Sequence, residues 1–296
     1  MLPQGQLNRQ LFEAVVRSAP SIRYIDLHGE GEPTLHPEFA MMMRELRALG
    51  IDVGFITNGL LVTQDMASVI VDLGVRSVGI SLDTLDPHVA AELRGTGPQV
   101  PLTAAKALLS RRYNGCRPDV YFCAVLLRRT FLKFDDLIAL SKDLGMSPPS
   151  AQPLQRKQDY VAHYPPELNG EQLSMEQTEW LQWYLKRRSE QRRMSGLRTY
   201  YEDLFVGREH EPCPFAQHSL YVRANGGVFP CCFCQTDLLR FGKATVDAGV
   251  EEVTCSPTRM ALIAAFEDGE TPDACKGCWV PCRSNQKWEE SDTNVR

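Results

Sequence analysis

The feature that most limits the fold is a regular alternation within the first 154 residues. Short apolar, β-branched segments at 21–27, 51–56, 76–82, 119–126 and, more weakly, 147–154 take turns with amphipathic helical ones. The helical segments span about 7–18, 37–49, 62–73, 99–112 and 133–144. Pro37 suits a first helical turn, and Gly50, Gly74 and Gly145 stand where helices should stop. Repeated β–α units require a parallel sheet with helices packed outside it. A closed or partly open α/β barrel and an open doubly wound sheet both satisfy the pattern, and periodicity does not choose between them.

The chain changes character after residue 154. Residues 155–170 are polar with paired prolines and read as a linker, followed by a helix over about 174–195. The basic residues at 186–188 and 192–193 read as a solvated helix face. Residues 199–210 form a short bridge. The segment SLYVRANGGVFPCCF at 219–233 is patterned as a β-hairpin turning at Asn225-Gly226, and a helix follows at about 257–267. Three regions result: an α/β unit at 1–154, a connecting region at 155–210, and a Cys-rich unit at 211–296.

Ten cysteines are present, and only Cys116 and Cys123 precede residue 213. The others are Cys213, Cys231, Cys232, Cys234, Cys255, Cys275, Cys278 and Cys282. The N-terminal MLPQGQLNRQ has no apolar core of a signal peptide, so a cytoplasmic location with reduced thiols is expected, and with it a metal or iron–sulfur centre. Cys275-Lys-Gly-Cys278 is a CxxC pair, with Cys282 as a third thiol. Folding the hairpin brings Cys213 towards Cys231, so a four-thiolate site is expected from Cys213, Cys231, Cys275 and Cys278. Zinc and an iron–sulfur cluster both fit such a site, and spacing does not separate them. Cys232, Cys234 and Cys282 stay open as spare ligands, ligands to a second centre, or bystanders. Cys116 and Cys123 read as helix-end and strand residues packing as small hydrophobes, and Cys255 as structural.

With 43% hydrophobic and 23% charged residues and a net charge of −5, the composition is that of a globular protein and gives no reason to expect nucleic acid. No uncharged apolar run reaches the ~18 residues of a membrane span. The ends of three successive strands carry polar motifs: His28-Gly-Glu-Gly-Glu-Pro33-Thr-Leu-His36-Pro37, Thr57-Asn58-Gly59 and Ser81-Leu82-Asp83. Each alone is turn or capping chemistry, and His28 and His36 read as loop or packing residues. Their coincidence on one face, where α/β folds place ligands, marks a site.

At these motifs the sequence resembles the radical S-adenosylmethionine (radical SAM) enzymes. Gly31-Glu32-Pro33 resembles that family's GGEP motif, with Glu30 in place of the first glycine, and TNG at 57–59, SLD at 81–83 and LRG at 93–95 follow in the family's order. CPF at 213–215, NGGVFPCC at 225–232, FGK at 241–243, EEV at 251–253 and CKGC at 275–278 resemble the SPASM/twitch extension, which carries auxiliary [4Fe-4S] clusters. The resemblance implies a partial (β/α)6 barrel lacking its first strand. It implies that Gly31, Glu32 and Pro33 bind the amino group of SAM. Ser81 and Asp83 then lie near its ribose and carboxylate, with Thr57 and Asn58 lining the cavity. Cys213, Cys231, Cys275 and Cys278 would hold the auxiliary cluster, with Cys282 a further candidate. The implied chemistry is reductive cleavage of SAM to a 5′-deoxyadenosyl radical that abstracts a substrate hydrogen. A peptide or protein is the implied substrate class, and a flavodoxin or ferredoxin the electron donor. The family's CxxxCxxC motif does not occur, and Cys275, Cys278 and Cys282 carry its spacings in reverse. The expectation is a truncated, degenerate or split member in which loss of the barrel's first strand leaves the second as an unpaired edge. The competing expectation is a non-catalytic binding protein with a structural zinc site of four cysteines.

Overall fold

Polar caps and left-handed glycines set the limits of the elements. The computed structural model describes residues 5–29, 31–154, 165–168, 170–174, 176–178, 180–181 and 213–276. Helix α1 (Arg9–Arg17) is capped by the Asn8 side chain and leads into β1 (Tyr24–Asp26). Then follow α2 (Phe39–Ala48), β2 (Asp52–Thr57), α3 (Gln64–Asp72), β3 (Ser77–Ser81), α4 (Pro87–Arg94) and α5 (Gln99–Leu109). The unit closes with β4 (Asp119–Leu126), α6 (Phe134–Asp143) and β5 (Ser150–Pro153). Gly50, Gly74 and Gly145 follow α2, α3 and α6 with φ of +71°, +66° and +65°, a conformation that stops a helix at little cost only for glycine.

All four strand pairings are parallel, and the order is β1-β2-β3-β4-β5. A doubly wound sheet needs a point where strand order reverses. None occurs here, so successive right-handed crossovers carry every helix to one face and the sheet curls into a half barrel. That order decides what periodicity left open. Phe55, Ile80, Phe122 and Leu126 of the sheet pack against Met43, Leu46, Ile70, Leu108 and Leu137 of the helices, all fully buried. At the β1 edge, the Tyr24 hydroxyl reaches across β2 to Ser77 Oγ at 3.0 Å. A Cβ on Gly54 would overlap that hydroxyl, so the bridge requires glycine at this point of β2.

The Cys-rich unit comprises α7 (Pro214–His218), β6 (Tyr221–Val222), β7 (Gly227–Phe229), β8 (Gly242–Lys243), α8 (Glu251–Thr254) and α9 (Pro257–Glu267). The expected hairpin forms, turning at Gly226 with φ +84°, and β8 adds a third antiparallel strand. Val228, Phe241, Val250, Val253, Leu262 and Phe266 make a second core together with Cys231, Cys234 and Cys275. Helix α1 serves both cores: Leu11 enters the second, while Phe12 and Val16 enter the first. Ser18 Oγ, just beyond α1, accepts a hydrogen bond of 2.8 Å from Val250 N.

Three expectations need amendment. Cys116 is exposed in a turn rather than packed, because the Tyr113–Cys116 bridge holds it in a protruding loop. Cys255 is likewise exposed, at the junction of α8 and α9. The short elements α7, α8 and β8 were not foreseen. The helix expected from 174 does begin there: Ser174 Oγ accepts from Gln177 N and Gln177 Oε1 accepts from Ser174 N, a reciprocal cap. The basic residues at 186–188 and 192–193, the bridge at 199–210, most of the linker, Cys278 and Cys282 lie outside the described residues. Among the described residues no helix is long and apolar enough to cross a membrane.

Candidate functional site

The polar strand ends converge where β1, β2 and β3 finish. Glu32 caps a short 3₁₀ turn at Pro33–Leu35, and its carboxylate gathers four donors. Oε1 accepts from Thr34 N at 3.2 Å, Thr34 Oγ1 at 2.6 Å and Thr57 Oγ1 at 2.7 Å, and Oε2 accepts from Asn58 N at 2.7 Å. The carboxylate thereby ties the β1 loop to the β2 loop. Its oxygens are engaged within the protein, which leaves the backbone of Gly31 to Pro33 as the part of this motif able to meet a ligand. Thr57 is buried and also accepts from Gly59 N at 3.1 Å, and Asn58 Oδ1 accepts from Leu60 N at 2.9 Å.

Asp83 is the corresponding tie at the end of β3. Only 7% exposed, it accepts from Arg94 Nε at 2.6 Å and Nη2 at 2.8 Å, and from Val125 N at 2.7 Å. It joins three elements: β3, α4 and β4. Burial opposes the charge on Arg94, but the hydrogen bonds and negative charge of Asp83 outweigh it and hold the guanidinium above its ordinary pKa. Asn58, Leu60, Ser81, Asp83, Arg94 and Gly97 line one cleft, open to solvent. The structure thus brings Asn58, Ser81 and Asp83 together. Gly31, Glu32, Pro33 and Thr57 stand behind or beside the cleft. Arg94 was missed as a site residue, although its LRG motif was visible.

A second polar group lies under the Cys-rich hairpin. His28 Nδ1 is 3.3 Å from Asp26 Oδ1, an ion-pair separation. Cys232 is within hydrogen-bonding reach of the same imidazole. Burial works against protonating His28, but Asp26 and Cys232 overcome it and its pKa is pushed up to about 10. Burial pushes the Cys123 thiol up to about 12; Arg94 pulls it down, and Asp83, Asp26 and Cys232 add to the rise. Cys123 is therefore a neutral thiol at pH 7, unsuited to act as a nucleophile.

The neighbouring Cys231 turns the other way, into the second core with Cys234 and Cys275, and Cys213 packs at the rim of that core. Buried thiols gathered in an apolar surround fit a thiolate-held centre in donor chemistry. Among the described residues no three His, Cys, Asp or Glu side chains stand together at metal-binding distances.

A one-way half barrel with a polar cleft at its strand ends, joined to a small antiparallel unit rich in thiols, defines an α/β-barrel protein with an accessory metal-binding unit. Residues 11–140 match the radical SAM superfamily and residues 213–279 the SPASM iron–sulfur cluster-binding domain. The chain belongs to the radical SAM superfamily and carries a SPASM domain. It is 38% identical over 85 residues to the tungsten-containing aldehyde ferredoxin oxidoreductase cofactor-modifying protein of Pyrococcus furiosus, a match covering 28% of this chain and 24% of that protein. The fold is shared with native anSMEcpe with bound AdoMet, at TM-score 0.68 and 18% identity over 96% of this chain and 81% of that one. It is also shared with Streptococcus suis SuiB bound to precursor peptide SuiA, at TM-score 0.64 and 15% identity over 88% and 61%. The chain thus spans about a quarter of the Pyrococcus furiosus relative and some three-fifths of SuiB.

Proposed function

We propose that the cleft at the ends of β2 and β3, beside the β1 loop, binds SAM and that the Cys-rich unit holds an auxiliary [4Fe-4S] cluster, in the service of hydrogen abstraction from a peptide or protein. One observation carries this reading: Asn58, Ser81 and Asp83, from motifs on two different strands, line one cleft with Arg94. The backbone of Gly31 to Pro33 is the acceptor for the SAM amino group, Arg94 and Ser81 answer its carboxylate and ribose, and Glu32 with Thr57 fixes the loops. When bound, a reduced [4Fe-4S] cluster supplies the electron that cleaves SAM to a 5′-deoxyadenosyl radical. The CxxxCxxC ligands for that catalytic cluster are not among these 296 residues. This chain's own residues bind SAM and seat the auxiliary centre. Cys231 and Cys275, both buried, are the nucleus of that centre's ligand set. The peptide-bound SuiB structure supports the substrate class. The location is proposed to be cytoplasmic, with a flavodoxin or ferredoxin as electron donor.

The test is anaerobic purification with iron, sulfide and zinc analysis, followed by calorimetric titration with SAM. Iron with equimolar sulfide, a broad absorption near ~400 nm and saturable SAM binding are expected. A colourless protein with one zinc and no heat on SAM addition would refute the reading and favour a zinc protein with four cysteine ligands.

A further inference from the structure

His36 has both ring nitrogens engaged. Glu38 N donates to Nδ1 at 3.1 Å, and a backbone amide can only donate, so the ring proton sits on Nε2. Nε2–H donates in turn to Leu7 O at 3.0 Å, in the segment that leads into α1. His36 also closes the 3₁₀ turn at Pro33–Leu35, its N–H donating to Pro33 O at 3.0 Å, and Glu32 caps the other end of that turn. The Glu32 carboxylate holds Thr57 Oγ1 and Asn58 N, and Asn58 lines the cleft. One short turn and the hydrogen bonds at its two ends therefore join the cleft to Leu7.

Leu7 lies between the two units, its side chain packed against both hydrophobic cores. Gly5 borders the hairpin turn, where a Cβ would stand 3.5 Å from Ala224 Cβ. Further along, Leu11 enters the second core and Ser18 Oγ accepts from Val250 N. Gly249 lies so close to α1 that a Cβ would overlap Ala14 O. The leading segment with α1 thus meets the cleft loop on one side and the Cys-rich unit on the other.

We infer that His36 is a positioning residue that couples the cleft to the Cys-rich unit through Leu7, so that a ligand held in the cleft also secures the docking of that unit. This rests on the proposed SAM reading and deepens it. A ligand that orders the cleft loops orders the turn and, through Nε2–H, the segment at Leu7. Docking of the Cys-rich unit needs the same segment in place. The entropy of ordering it is lost once rather than twice, which makes the two events mutually favourable.

The test uses the full chain and SAM itself. Amide hydrogen exchange is followed with and without saturating SAM in wild type, His36→Gln, His36→Asn and Leu7→Ala. Calorimetry establishes SAM binding and circular dichroism the fold. Gln places an amide where His has Nε2 and keeps the donor to Leu7 O. Asn places an oxygen where His has Nδ1 and keeps the acceptor for Glu38 N. In wild type and His36→Gln, SAM should slow exchange at Val250 and along α9 by about fivefold or more. In His36→Asn, SAM should still bind and protect the cleft loops, but without that slowing. A role confined to starting α2 gives the reverse order, with Asn behaving as wild type and Gln impaired. Wild type that binds SAM without slowing exchange at Val250, or His36→Asn that slows it as wild type does, overturns the inference and leaves the SAM reading intact. Should His36→Asn misfold, Leu7→Ala decides. It keeps the hydrogen bond through its carbonyl but loses the packing, so undiminished slowing at Val250 overturns the inference. No heat from SAM in wild type overturns the SAM reading and this inference with it.

Discussion

Glu32 shows how a residue of a ligand-site motif can also serve as a clamp. Its motif marks a ligand site, but the carboxylate is used to join two loops through four hydrogen bonds. Asp83 repeats the lesson, since its oxygens serve Arg94 and Val125. Sequence places such carboxylates at a site without revealing whether they face outward or inward. That depends on donors as far along the chain as Thr57, Asn58 and Val125. Glu32→Gln keeps the size but replaces one acceptor oxygen with an amide that meets another donor. A loss of about 2–3 kcal/mol in urea unfolding is expected, with weaker SAM binding; an unchanged midpoint and affinity would dismiss the clamp. His28 gives a pH-dependent effect. Its folded pKa of about 10 lies above the ordinary 6.5, so its contribution is full below about pH 6.5 and is lost as pH rises through about 10. The stability gap between wild type and His28→Gln should be widest in acid and close above about pH 10. A gap that widens with pH would contradict the charge pair with Asp26.

Elements were legible to the extent that they were long. Strands of five or more residues and helices of nine or more repeat their period often enough to be read, and glycines with positive φ mark five of the helix ends. The four-residue α8 and two-residue β8 carry less than two periods, and tertiary packing decides them. Contact between elements was not legible at all. Nothing in the residues around Gly54 announces that Tyr24 crosses β2 to reach Ser77. Gly54→Ala should cost about 1–3 kcal/mol through that overlap. Adding Tyr24→Phe removes the hydroxyl and should restore part of the loss, giving a coupling above about 0.5 kcal/mol in a double-mutant cycle. Additive costs would mean the strand moves instead and the bridge does not set the register.

At the scale of the whole molecule, strand order was the missing datum, because alternation alone allows barrels and doubly wound sheets. An α/β unit followed by a Cys-rich unit was the expectation legible from where the cysteines lie. The way the two are fastened was not, since Leu11 and Ser18 stand far ahead of the thiols in the chain and give no sign of their role. A fragment of residues 213–276 lacks both. Prepared alone, it should show the circular dichroism of an unfolded chain and no cooperative melting, whereas the full chain should melt in one step. A folded, cooperatively melting fragment would refute the shared-core description.

The double service of α1 bears on how such proteins can be recombined. A unit that borrows a side chain from its host's first helix is not a portable cassette. Moved onto another barrel, it would arrive with a hole where Leu11 sat and an amide at Val250 without its acceptor. Successful grafts should therefore carry α1 along with the thiols, and homologues that exchange one without the other should show compensating changes on that helix.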